Sequence, residues 1–213
     1  VRADVVGRLL GAVGESLRAA KDELNGLDGR AGDGDLGDTL AAACVALEAE
    51  AAGWPGEEDL APAEVLARAS ATLRRAAPSS FGSLVALGLR AAGKALAAGG
   101  DDAASVLAAL DAGIEEIKAR GRAEVGDRTV LDALVPALES ARAALAGGAG
   151  GVELWRRATE GASAGAERTA EMAPKVGRAS WVGERAVGEV DAGARVAELV
   201  LSAMAEAIAP AGS

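Results

Sequence analysis

Alanine is the dominant hydrophobic residue of this 213-residue chain, and only four aromatics, Trp54, Phe81, Trp155 and Trp181, accompany it. Alanine is the strongest helix former, whereas the β-branched and aromatic residues that favour strands are sparse. Side chains this small fill a core only if the backbones that carry them come close together. The composition therefore predicts an all-α protein with closely packed helices, and 213 residues are enough to bury a substantial core as one domain.

Glycine- and proline-bearing breaks divide the chain into eight expected helices. The first runs from about Arg2 to Leu24, with Val5, Val6, Leu9, Leu10, Val13 and Leu17 on one stripe. The second spans about Asp38 to Ala51 and the third about Leu60 to Ala76. A fourth follows Pro78-Ser79-Ser80-Phe81-Gly82 and ends near Leu96; a fifth, capped by Asp101, reaches about Arg120. Asp127 is the expected cap of the sixth, which Pro136 should bend. The seventh covers about Val152 to Met172, and the last begins near Gly193. Short connections favour antiparallel neighbours. No long linker or composition change divides residues 1–213, which are read as a single domain.

A net charge of −10, with Lys and Arg scattered, opposes nonspecific binding to nucleic acid or anionic membranes. No apolar run approaches a membrane span, and the amino end lacks the apolar stretch of a signal peptide, so a cytoplasmic location is expected. The lone Cys44 excludes an internal disulfide and fits a reducing compartment. It lies among Ala41, Ala42, Ala43, Val45 and Leu47, and no histidine exists to activate it, so it reads as a small buried hydrophobe.

The chemistry concentrates in the loop Leu27-Asp28-Gly29-Arg30-Ala31-Gly32-Asp33-Gly34-Asp35-Leu36-Gly37-Asp38-Thr39. Asp28, Asp33 and Asp35 are close enough in a glycine-rich stretch to repel one another unless a positive charge lies between them. Oxygen-only ligands suit a hard divalent cation; with no His and one Cys, zinc or copper does not fit. A calcium EF-hand counted from Asp33 would place its bidentate Glu at Cys44, which excludes that motif. Too few ligands for a closed cage points to a magnesium–nucleotide site, while a solvated Asp/Gly turn stays open from the residues alone. A second unusual segment, Ala173 to Asp191, is long and glycine-punctuated and carries Arg178, Trp181 and Arg185. Arginine suits phosphate recognition, so a phosphate-contacting lid is expected there in preference to a surface ion-pair loop.

Three segments together resemble the nucleotide-binding L subunit, or L domain, of the dihydroxyacetone kinases: Leu27 to Leu40, Gly121 to Leu134 (GRAEVGDRTVLDAL) and Gly177 to Gly193 (GRASWVGERAVGEVDAG). The resemblance implies an eight-helix antiparallel barrel with its nucleotide site at one end. It puts two magnesium ions on Asp28, Asp33 and Asp35, holding the phosphates of ADP or ATP. Further nucleotide contacts fall on Leu36, Gly37, Asp38 and Thr39, where helix-start N–H groups suit phosphate. A Ser/Gly turn falls on Ser79, Ser80 and Gly82, although Phe81 breaks the usual pattern. Gly121 and Val130 match the adenine side, with Val130 where the family often has Met. Arg178 matches the lid and is the expected catalytic residue; Asp191, Ala192 and Gly193 close the segment, with Ala192 replacing a frequent Pro.

The family divides by phosphate donor. One branch keeps ADP resident and is rephosphorylated by a phosphocarrier of the phosphoenolpyruvate phosphotransferase system; the other exchanges ATP. Leu36 and Thr39 stand where the phosphotransferase branch has His and Asn, which leans towards ATP, although a free-standing chain is the arrangement of the other branch. The family's substrate is held covalently by a His on a separate K-type subunit. This chain has no His, which implies such a partner. A homodimer is compatible with the alanine-rich faces. A nucleotide-dependent regulatory protein is the alternative of a different class.

Overall fold

A computed structural model describes residues 1–30, 32–54, 59–100, 102–177, 180, 183 and 187–209. The helices are α1 (Ala3–Ala19), α2 (Lys21–Gly29), α3 (Leu36–Ala52), α4 (Pro62–Ala76), α5 (Ser80–Gly99), α6 (Ala103–Gly121), α7 (Leu131–Ala146), α8 (Gly151–Arg168) and α9 (Ala192–Ile208). A short 3-10 turn, Thr169–Glu171, follows α8. No strand occurs among the described residues, in keeping with the all-α expectation. Helix α1 packs on α3, each helix from α3 to α9 packs on the next, and α9 returns to α1. The result is a closed ring of eight helices, with α2 lodged against α3 and α9.

Small residues let this ring close. On α8, a Cβ added to Gly161 would lie 2.4 Å from the Pro136 carbonyl oxygen, and one on Gly165 would lie 2.1 Å from that of Asp132. Helices α7 and α8 thus touch backbone to backbone and run antiparallel. Gly88 of α5 and Gly113 of α6 meet similarly, each facing the other's carbonyl at 3.1 and 3.0 Å from an added Cβ. Between these contacts lies a core rich in alanine, including the fully buried Ala133, Ala162, Ala166 and Ala194, with Leu131 and Ile114 filling the wider gaps. Cys44 is buried beside Leu40 and Val196, and burial pushes its thiol pKa up, consistent with an inert packing role.

Several local expectations need correction. The expected first helix is two, broken at Ala20; α2 then turns inward to bury Leu24 completely. Nothing in Arg18-Ala19-Ala20-Lys21 is a helix breaker, and the break is made by packing against α3 and α9. Asp102 caps α6 by accepting the Ser105 N–H at 2.8 Å, whereas Asp101 lies outside the described residues. Asp127 does not cap α7, which starts only at Leu131; its Oδ2 accepts the Glu124 N–H instead. Helix α5 also overturns one expectation, because by length and composition alone it is apolar enough to cross a membrane (mean hydropathy 1.3). Here it carries Arg90 and Lys94 and packs between α4 and α6.

The close backbone approaches generate a prediction. Gly161→Ala should destabilise the protein by about 1–3 kcal/mol through overpacking. Gly11→Ala, on α1 with nothing within 4 Å of the added carbon, should instead stabilise by up to about 1 kcal/mol. Denaturant unfolding of the two variants checks both signs.

Candidate functional site

The acidic loop is organised around Asp28. This residue lies in the last turn of α2, and its Oδ2 accepts the N–H groups of Gly34 at 2.8 Å and Asp35 at 3.2 Å. The chain therefore wraps back around the carboxylate. Gly34 sits at φ +79°, and an added Cβ on Gly32 would lie 2.5 Å from Asp28 Oδ1. Only glycine at both positions lets the turn close this tightly. The wrap places one carboxylate oxygen each of Asp28, Asp33 and Asp35 within 4.8 Å of one another. An all-oxygen cluster of this spacing fits a hard divalent cation with water completing its shell.

The start of α3 is fixed from outside the helix. Asn25, on α2, accepts the N–H groups of Gly37 at 2.7 Å and Asp38 at 3.2 Å on Oδ1, and its Nδ2 donates to Asp38 Oδ2. Two of the helix-start donors at the expected phosphate position are thus engaged by Asn25. The Asp38 carboxylate is also paired with Lys21 at 2.6 Å, and these hydrogen bonds hold its pKa below the usual range.

A cleft of about 260 Å³ opens beside the loop at one end of the ring. Asp28, Asp33, Asp35, Leu36 and Thr39 form one side. Ser79, Ser80 and Phe81 enter from the α4–α5 turn, Gly121 and Val130 from the α6–α7 connection, and Asp191, Ala192 and Gly193 from the start of α9. Gly37, Asp38 and Gly82 stand behind this surface; Gly82 donates its N–H to Ser79 Oγ at 3.0 Å, capping α5. Arg178, Trp181 and Arg185 lie outside the described residues. Leu84, Ile117 and Val130 line an apolar portion suited to the flat face of a base, while the carboxylates mark the polar end.

Two polar groups unforeseen in the sequence shape the loop before α7, and one of them, Arg128, lines the cleft. Asp132 is 2 % exposed and accepts the N–H groups of Gly126 at 2.5 Å and Thr129 at 2.8 Å, closing the loop before α7. Arg128, at φ +62°, turns inward and is the one Lys or Arg among the described residues that line the cleft. The nearest available signal was Arg128 and Asp132 at i, i+4, which ordinarily reads as a surface ion pair.

Asp191 caps α9 by accepting the Ala194 N–H at 2.8 Å. Burial drives its pKa up to about 6, against the lowering pull of that hydrogen bond and of Arg128, while Asp132 adds to the rise. A carboxyl with a higher pKa in the folded than in the unfolded state binds more protons when folded. Stability then falls as pH rises from the unfolded value of 3.8 to about 6. Relative to Asp191→Asn, the wild type should lose on the order of 2 kcal/mol between about pH 4 and pH 7. Urea unfolding of both proteins across that range measures the difference.

A closed helical ring with an acidic, glycine-turned loop at the mouth of an end cleft is a domain suited to a hard cation and the anion it accompanies. The chain belongs to the DAK2 domain family, whose model matches residues 30–206. It is 36 % identical over 200 residues to mouse (Mus musculus) triokinase/FMN cyclase, covering 93 % of this chain and 34 % of that protein. It is 33 % identical over 207 residues to D-erythrulose kinase of Mycolicibacterium smegmatis, covering 97 % and 36 %. The crystal structure of Citrobacter freundii dihydroxyacetone kinase in complex with AMP-PNP and Mg2+ superposes with a TM-score of 0.76 at 32 % identity, covering 95 % of this chain and 34 % of that one. The chain thus spans about one third of the length of the relatives it matches.

Proposed function

We propose that residues 1–213 act as one nucleotide-binding domain of a dihydroxyacetone or related small-ketose kinase, with ATP as donor. The observation that carries this function is the convergence of Asp28, Asp33 and Asp35 within 4.8 Å at the mouth of a cleft with an apolar inner wall. A relative crystallised with AMP-PNP and Mg2+ and sharing 32 % identity supports it.

The three carboxylates would hold two magnesium ions, which when bound neutralise the phosphates' charge and favour in-line transfer. Asp28, already pinned by two backbone N–H groups, presents its remaining oxygen in a fixed direction. Leu84, Ile117 and Val130 would take the base, and the Asp191–Gly193 turn would border the nucleotide opposite the acidic loop. Arg178 would add positive charge to the transferring group. The acceptor ketose would be supplied by a K-type partner, since a chain without histidine cannot bind it through one. Resident ADP, recharged by a phosphocarrier, is the competing donor scheme, and the absence of His at Leu36 weighs against it.

Asp33→Asn should abolish magnesium-dependent nucleotide binding and leave helicity nearly unchanged. Titration calorimetry with Mg-ATP, beside far-ultraviolet circular dichroism, tests this; unchanged affinity would refute the site. Near-stoichiometric ADP released from freshly purified, denatured protein would replace the ATP scheme with the resident-cofactor one.

A further inference from the structure

Residues 169–170 follow α8 and residues 188–191 lead into α9, and Arg128 reaches both places. The guanidinium Nε donates to the Thr169 carbonyl at 3.2 Å, and Nη2 donates to the Glu189 carbonyl at 2.8 Å. These two carbonyls are 20 residues apart in sequence, yet one planar side chain holds both. Around it, the two ends are tied directly. Gly188 donates its N–H to the Ala170 carbonyl at 2.7 Å, and Asp191 donates its N–H to Thr169 Oγ1 at 2.8 Å. Thr169 is fully buried, and its hydroxyl donates onward to the Ala166 carbonyl of α8. On the outer side, Arg30 of the acidic loop pairs with the Glu189 carboxylate at 2.9 Å.

Arg128 is 5 % exposed, and a buried guanidinium is costly unless its charge and its donors are answered. Asp191 supplies opposite charge, since its carboxyl interacts electrostatically with Arg128. Its left-handed backbone is unusual for a side chain with a Cβ, and it aims the guanidinium inward rather than along α7. Directly after the clamped segment come Asp191, Ala192 and Gly193, all in the cleft wall. An added Cβ on Gly193 would lie 3.1 Å from Phe81 and 3.4 Å from Val130, so this turn is seated tightly against the opposite wall.

The geometry points to Arg128 as the positioning residue of the nucleotide cleft: by clamping the carbonyls of Thr169 and Glu189, it fixes the Asp191–Gly193 turn at the distance a nucleotide requires. This role rests on the nucleotide-binding function proposed above. Lysine cannot replace it, because an ammonium is a point charge without the planar fork that serves two carbonyls at once.

The test uses the whole chain with Arg128→Lys and Arg128→Ala. Residue-resolved hydrogen exchange on nucleotide-free protein reads the clamp, and calorimetry with Mg-AMP-PNP reads affinity. In Arg128→Lys, exchange at Gly188 and Asp191 should rise about tenfold or more, with Ala162 and Ala166 of α8 unchanged, and affinity should fall by about tenfold or more. Low-millimolar guanidinium should restore affinity to Arg128→Ala but not to Arg128→Lys, a rescue that general destabilisation would not show. Unchanged exchange at Gly188 and Asp191 would overturn the clamp. Raised exchange with wild-type affinity would overturn the positioning role. A wild-type protein that fails to bind Mg-AMP-PNP would refute the nucleotide function, whereas the exchange result would still decide the clamp.

Discussion

Contact between helix backbones is the constraint on which this molecule depends. Eight helices close into a ring only if each neighbour comes near enough for small side chains to fill the interior. The Gly161 and Gly165 contacts with the carbonyls of Pro136 and Asp132 show how near that is. Dispersion forces reward this closeness and bulky residues would forbid it. The alanine-rich composition is therefore a requirement of the architecture, and the sparse large residues mark places where the ring widens, as Phe81 does beside the cleft.

The cleft inherits its rigidity from that frame but draws its charge balance from a few long-range pairings. Asp28, Asp33 and Asp35 concentrate negative charge on one side, and Asp191 adds a carboxyl whose burial favours its neutral form. Arg128 acts on the Asp191 carboxyl from within the wall, and Arg30, from the acidic loop, pairs with the Glu189 carboxylate. Segment 188–191 is held by both cations, Arg128 at the Glu189 carbonyl and Arg30 at the Glu189 carboxylate.

Local chemistry explains what was legible beforehand. The D-x4-D-x-D pattern with interleaved glycines announced the carboxylate cluster, because both charge crowding and turn geometry are short-range properties. Helix positions followed from glycine and proline punctuation for the same reason. Asn25 was invisible: it looks like an ordinary polar residue near a helix end, and its role as a cap for α3 exists only once α2 folds back. The break at Ala20 was equally hidden, since tertiary packing overrides a strongly helical local sequence there. Asp127 was expected to cap the sixth helix because capping rules look for a carboxylate just before a helical pattern, but Arg128 in its left-handed conformation displaces the helix start to Leu131.

The connections α2–α3, α4–α5, α6–α7 and α8–α9 all border the cleft, while those after α3, α5 and α7 lie at the other end of the ring. Val1 is at that other end too, its ammonium bonded to the Leu60 carbonyl, and α9 runs towards it from Ala192 to Ile208. A helix of 17 residues is roughly 25 Å long. Anything fused at either end of α1 or α9 on that side starts about this far from the cleft, so a tether must cover roughly 7 or 8 extended residues before its cargo can meet the site. Tether length is thereby a design variable of its own, adjustable without touching a single residue of the cleft.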